Sequence, residues 1–132
     1  MNEAVLIQRT KDFAKKIIGL CRSLPNNREG RLIGDQLFRS GTSVASNYRA
    51  ACRGRSRAEF VSKLAIVVEE ADETQFWLEL IKEMNILRDL TVDKLIKEAD
   101  ELVAIFVASI KTTKSNPKSK IQNPKSKIQN PK

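Results

Sequence analysis

No histidine occurs anywhere in this 132-residue chain, aromatic residues make up only 5% of it, and cysteine, glycine and proline number 2, 5 and 4. Without histidine, His-based triads, His general acid-base catalysis and the common His-containing zinc sites are excluded. The di-iron pattern that helix bundles can carry is excluded as well, because it requires Glu-x-x-His. Carboxylate pairs at i, i+4 do occur, Glu69 with Glu73 and Glu79 with Glu83, but their projections lie off the apolar seam of their helix. The chain is therefore expected not to be an enzyme, with no metal, cofactor or small-molecule substrate. Cys21 and Cys52 stand 31 residues apart, which has no CxxC logic, and both fall beside apolar positions as buried thiols do. No apolar run approaches the ~20 residues that span a bilayer, and Met1-Asn-Glu-Ala lacks the basic start of a signal peptide. A cytoplasmic protein is the expectation.

What is present is charge, unevenly placed. The net charge is +8, from 24 basic and 16 acidic side chains. Residues 1–63 hold 13 basic and 5 acidic residues, residues 64–114 hold 6 and 11, and the last 18 residues supply five lysines and no acid. That final stretch repeats Asn116-Pro-Lys-Ser-Lys-Ile-Gln from Asn123 and begins it again at Asn130. Each unit carries a proline, which costs a helix interior about 3 kcal/mol, and a single apolar residue. The expected organisation is one folded domain over 1–114 and a disordered basic tail over 115–132. The tail reads either as a polybasic arm for phosphate backbones or as a translated repeat without consequence.

Within the folded part the apolar residues recur at helical spacing. Leu6, Phe13, Ile17, Leu20 and Leu24 form a first stripe, ended by Pro25-Asn26-Asn27. Ile33, Leu37, Val44, Tyr48 and Ala51 form a second, interrupted at Gly41, where close approach of a neighbouring helix is the expected reason for glycine. Gly54 closes it. Ser56-Arg-Ala-Glu59 has capping-box spacing and opens a third helix whose seam is Phe60, Leu64, Val67, Ala71, Thr74, Leu78 and Ile81, broken at Arg88-Asp89-Leu90. Thr91 is the expected N-cap of a fourth, carrying Leu95, Ala99, Leu102, Phe106 and Ile110. Nothing reads as a strand by period two. The fold class is all-α, an antiparallel up-down-up-down four-helix bundle.

Two kinds of side chain exceed what such a core needs. Phe38, Ile66 and Trp77 lie off their seams, and residues 102–110, including Val103 and Val107, are apolar nearly all round. Faces apolar on two sides point to subunit contacts; a wide core face with the Trp at its edge is the alternative. On helix two, Arg39, Ser46, Arg49 and Arg53 share an arc opposite the apolar face, and Arg55, Arg57 and Lys63 continue it. Guanidinium clusters suit phosphate. The alternative is a solvated face paired internally with Glu59, Glu69, Glu70 and Glu73.

The strings Gln36-Leu-Phe-Arg-Ser-Gly-Thr-Ser-Val44, Ala45-Ser-Asn-Tyr-Arg-Ala-Ala-Cys52, Arg55-Ser-Arg-Ala-Glu-Phe60 and Glu69-Glu-Ala-Asp-Glu-Thr-Gln-Phe-Trp-Leu-Glu-Leu-Ile81 carry a resemblance. Over about residues 5–112 the chain resembles a bacterial four-helix-bundle family. That family includes proteins encoded in intervening sequences of 23S rRNA genes and the accessory variability protein (Avd) of diversity-generating retroelements. The resemblance implies a ring-like homopentamer. For the retroelement member it also implies a non-catalytic basic surface that engages a reverse transcriptase and RNA or DNA. Family members often have Gly-Ala before the asparagine and an acid after Tyr-Arg; here Ala45-Ser46 and Ala50 stand in those places, which makes the stripe more basic. Two functions stay open: an oligomeric adaptor binding RNA or DNA through Arg39, Arg49, Arg53, Arg55, Arg57 and Lys63, and a protein-interaction scaffold without nucleic-acid affinity of its own.

Overall fold

The computed structural model describes residues 1–115, so the repeat tail from residue 116 lies outside the described residues. Four helices follow one another: α1 (Glu3–Ser23), α2 (Arg28–Cys52), α3 (Arg57–Glu83) and α4 (Leu90–Ser115). Connections of four to six residues reverse the chain between consecutive helices, and each helix packs along its sequence neighbour in an all-α four-helix bundle. Along α1 and α4 the contact is much shorter than at the other three seams.

Local chemistry sets the helix ends. Asn2 Oδ1 accepts the Val5 N–H and Asn27 Oδ1 the Gly30 N–H, each at 2.9 Å, and Ser56 Oγ accepts the Glu59 N–H at 3.1 Å. Each satisfies a backbone donor that the first turn leaves unpaired. Glu59 does reach back, but to the Arg55 N–H at 2.9 Å. Helix α2 ends at Cys52 with Arg53 as cap, and Gly54 donates to the Ala51 carbonyl without entering the left-handed region.

Two boundaries differ from the sequence expectation. Helix α3 stops at Glu83, not at Arg88–Leu90, because Asn85 adopts φ 54°. Ile86 N–H then bonds the Ile81 carbonyl at 2.9 Å and Asn85 N–H the Lys82 carbonyl at 3.2 Å, a Schellman closure with an asparagine at its left-handed position. Helix α4 is opened by Asp89, whose Oδ1 accepts the Thr91 N–H at 2.8 Å, so Thr91 sits inside the first turn instead of capping it.

The core is built from the stripes the sequence displays. Phe13, Ile17, Leu37, Leu64, Leu78, Ile81, Leu102 and Phe106 are fully buried, and Tyr48 of α2 lies 5.0 Å, centroid to centroid, from Phe106 of α4. Burial of each large apolar side chain contributes about 1.5–3 kcal/mol. A Cβ at Gly41 would stand 2.8 Å from Ile17 Cγ2, so the glycine lets α1 and α2 approach. The buried hydroxyls of Ser40 and Thr74 share a hydrogen bond of 2.9 Å across the α2–α3 seam, and Thr74 also donates to the Glu70 carbonyl. No helix among the described residues is long and apolar enough to cross a membrane.

Candidate nucleic-acid interface

Antiparallel packing sets the end of α2 beside the first half of α1. On that side Lys11 of α1 joins Arg49 and Arg53 of α2 around a groove of about 440 Å³, whose remaining lining is Ile7, Thr42, Ala45, Ser46 and Cys52. None of these eight residues is acidic. Ser46, Arg49 and Arg53, placed on one arc by their spacing, thus line one groove. Lys11, which the spacing of α2 alone does not bring in, belongs to the same lining. Only the knowledge that α1 and α2 run antiparallel brings position 11 level with position 49.

The groove has a simple origin. On the core side, Gly41 and Ile17 draw the helices together. On the solvent side, Thr42, Ala45 and Ser46 are too short to fill the seam opposite Ile7 and Lys11, so a trough remains. The Thr42 hydroxyl donates back to the Phe38 carbonyl at 2.8 Å, so toward any further partner its oxygen can only accept.

Arg55, Arg57 and Lys63 extend the positive surface round the α2–α3 turn; Arg55 is exposed, and Arg57 and Lys63 are half-buried. Among the described residues no carboxylate lies within ion-pair distance of Lys11, Arg49, Arg53, Arg55, Arg57 or Lys63. The internal-pairing alternative holds instead for Arg39. Its Nη1 donates to Glu70 at 3.1 Å and its Nη2 to Glu73, both on α3, and these bonds raise its pKa. Arg39 therefore spends its charge within the fold and stands apart from the groove.

Glu73 also accepts the Trp77 indole N–H at 3.0 Å. That bond first, and Arg39 second, hold the Glu73 carboxyl below its usual value. Trp77 and Val103, read from sequence as interface candidates, are half-buried and pack against the core. Phe38, Ile66 and Val107 are exposed, and so is Phe76, which the spacing argument passed over. Phe76 meets Trp77 edge to face at 5.0 Å.

The thiols have no disulfide between them. Cys21 Sγ donates to the Gly34 carbonyl at 3.6 Å, and burial pushes its pKa up to about 11. Burial likewise raises the Tyr48 phenol. Among the described residues no three His, Cys, Asp or Glu side chains gather as metal ligands do. Chemically, the arrangement offers fixed positive charge and hydroxyl groups beside small apolar side chains.

The chain's residues 2–108 match the family model described as 23S rRNA-intervening sequence protein. Among solved structures, the chain is similar to a protein of unknown function from the S23 ribosomal protein family of Bacteroides thetaiotaomicron. The two are 32% identical with a TM-score of 0.78, over 85% of this chain and 100% of that one. A search of curated proteins gave no match.

Proposed function

We propose that this chain, which belongs to the 23S rRNA-intervening sequence protein family, is a non-catalytic cytoplasmic adaptor that binds RNA or DNA through the basic corner formed by α1, α2 and the α2–α3 turn. The observation that carries this reading is the set of cations, Arg49, Arg53, Arg55, Arg57 and Lys63, that no carboxylate among the described residues neutralises. Arg39 contributes to the field but not as a free fork, since Glu70 and Glu73 hold it. Arginine forks match phosphate oxygens in pairs and keep their charge at every physiological pH. Contacts of this kind give salt-sensitive binding with little sequence preference.

Self-association strengthens the same reading. Phe38, Ile66 and Val107 leave apolar surface exposed, with Trp77 and Val103 at its edges. A homo-oligomer, a pentamer by the resemblance, repeats the basic corner and adds its fields. A nucleic-acid enzyme such as a reverse transcriptase is the kind of protein partner that such an adaptor serves. The exposed apolar residues also suit a second reading, a protein scaffold whose basic corner docks an acidic partner.

Fluorescence anisotropy with a generic RNA across a salt series tests the proposal. Binding at low salt should weaken linearly in log K against log salt, with a slope of about 0.7–0.9 per phosphate contacted. Absence of any binding at low salt, together with a partner captured equally well after nuclease treatment, supports the scaffold instead.

A further inference from the structure

The α1–α2 groove has properties that phosphate contact alone does not use. Its lining brings the cations Lys11, Arg49 and Arg53 together with the apolar side chains of Ile7 and Ala45 and the hydroxyl-bearing Thr42 and Ser46. A duplex keeps its bases stacked inside and offers a protein mainly phosphate and sugar, so it would engage the cations and leave Ile7 and Ala45 without a partner. An unpaired nucleotide carries charge at one end and a flat apolar face at the other. At about 440 Å³ the groove lies within the range of pockets, about 300–1,000 Å³, that take one small ligand.

We infer that the α1–α2 groove is a seat for one unpaired nucleotide of a single strand, its phosphate between Lys11 and the Arg49–Arg53 pair and its base against Ile7 and Ala45. This rests on the proposed nucleic-acid binding and deepens it from a basic surface to a strand-selective site. Lys11 supplies a cation from α1, so the phosphate is held from two helices instead of one.

The test uses the full chain with a fluorescein-labelled RNA of about 16 nucleotides, single-stranded or annealed to its complement. Single-stranded RNA should bind about fivefold tighter than the duplex, the scale of burying one small apolar contact. Ala45→Leu fills the groove without changing charge and should lower single-strand affinity about fivefold while leaving duplex affinity within about twofold. Lys11→Ala should reduce the single-strand salt slope by about 0.7. Should Ala45→Leu lose its cooperative melting transition, Ser46→Leu fills the same groove from an exposed helix position. Equal binding of both RNAs, unchanged by either leucine variant, overturns the groove while leaving the basic corner intact. No salt-sensitive binding of either RNA overturns both.

Discussion

Arg9 of α1 grips Glu98 of α4 with a two-pronged fork, Nε to Oε2 at 2.7 Å and Nη2 to Oε1 at 2.6 Å, and Nη2 reaches Glu101 at 2.8 Å as well. The bonds to Glu98 first, and to Glu101, raise the Arg9 pKa against a lowering from burial. Both partners of the fork are about one-quarter exposed, between the surface regime where ion pairs contribute little and the buried one where desolvation dominates. The fork ties α1 to α4 across the shortest seam of the bundle.

Arg9→Met is expected to cost about 1–2 kcal/mol, a Tm loss of roughly 4–8 °C. A double-mutant cycle with Glu98→Gln should return a coupling of about 1 kcal/mol. Thermal melts followed by circular dichroism give both numbers; a coupling near zero means that the fork is a surface ornament.

Gly41→Ala should destabilise the protein although alanine is the better helix former. A Cβ there meets Ile17 Cγ2 at 2.8 Å and Cγ1 at 2.9 Å, and Ile17 is fully buried and β-branched, so it has little room to turn aside. Overpacking of about 1–3 kcal/mol outweighs the helix gain of about 1 kcal/mol. Urea unfolding should show the midpoint falling, and Ile17→Ala in the same chain should make the additional change Gly41→Ala harmless or favourable.

How much of this was open to sequence reading depends on the range of the interaction. The seam of α3 from Leu64 to Ile81 follows from spacing alone, because a period near 3.6 must place those residues on one side. Caps at Asn2, Asn27 and Ser56 are local too. The end of α3 differs from the expected break at Arg88–Leu90 because Asn85 turns into the left-handed region, which apolar spacing does not report. The fate of Arg39 required knowing that α2 and α3 pack with Glu70 and Glu73 facing it, and the same holds for Arg9 and Glu98, 89 residues apart. Lys11 entered the site only through the α1–α2 pairing. Helix faces are thus legible, whereas partners across faces wait for the packing.

The Glu73 carboxyl, held low by the Trp77 N–H and Arg39, gives stability an acid limb. A carboxyl depressed in the folded state contributes stability above its ordinary value and loses it as pH falls through the folded one. Glu73→Gln keeps an acceptor for Trp77 but cannot titrate. Its melting temperature should therefore change less than the parent's between pH 5 and pH 3, on the order of the usual carboxylate window. Trp fluorescence of the parent should change over the same window as the indole loses its ionised acceptor. Identical acid limbs for the two proteins would contradict the assignment.

Cys21 should be a slow thiol. With its pKa pushed up to about 11 by burial, its thiolate fraction at neutral to mildly basic pH is about two orders of magnitude below that of an unperturbed cysteine. Iodoacetamide labelling followed by peptide mass mapping should find Cys21 modified about a hundredfold more slowly in the folded protein than in urea. Equal rates would mean that the α1–α2 seam around Gly34 opens freely.

The central claim is that the unpaired cations, not basic charge in general, bind nucleic acid. RNA anisotropy at low salt should be measured for the parent, for Arg49→Glu with Arg53→Glu, and for Arg39→Gln, each checked for an intact melting transition. The account predicts that the double reversal weakens binding tenfold or more, on the order expected for reversing two phosphate contacts, while Arg39→Gln, whose charge Glu70 and Glu73 already hold, stays within about twofold. Equal losses in the two proteins, or RNA binding that survives the double reversal, would contradict it.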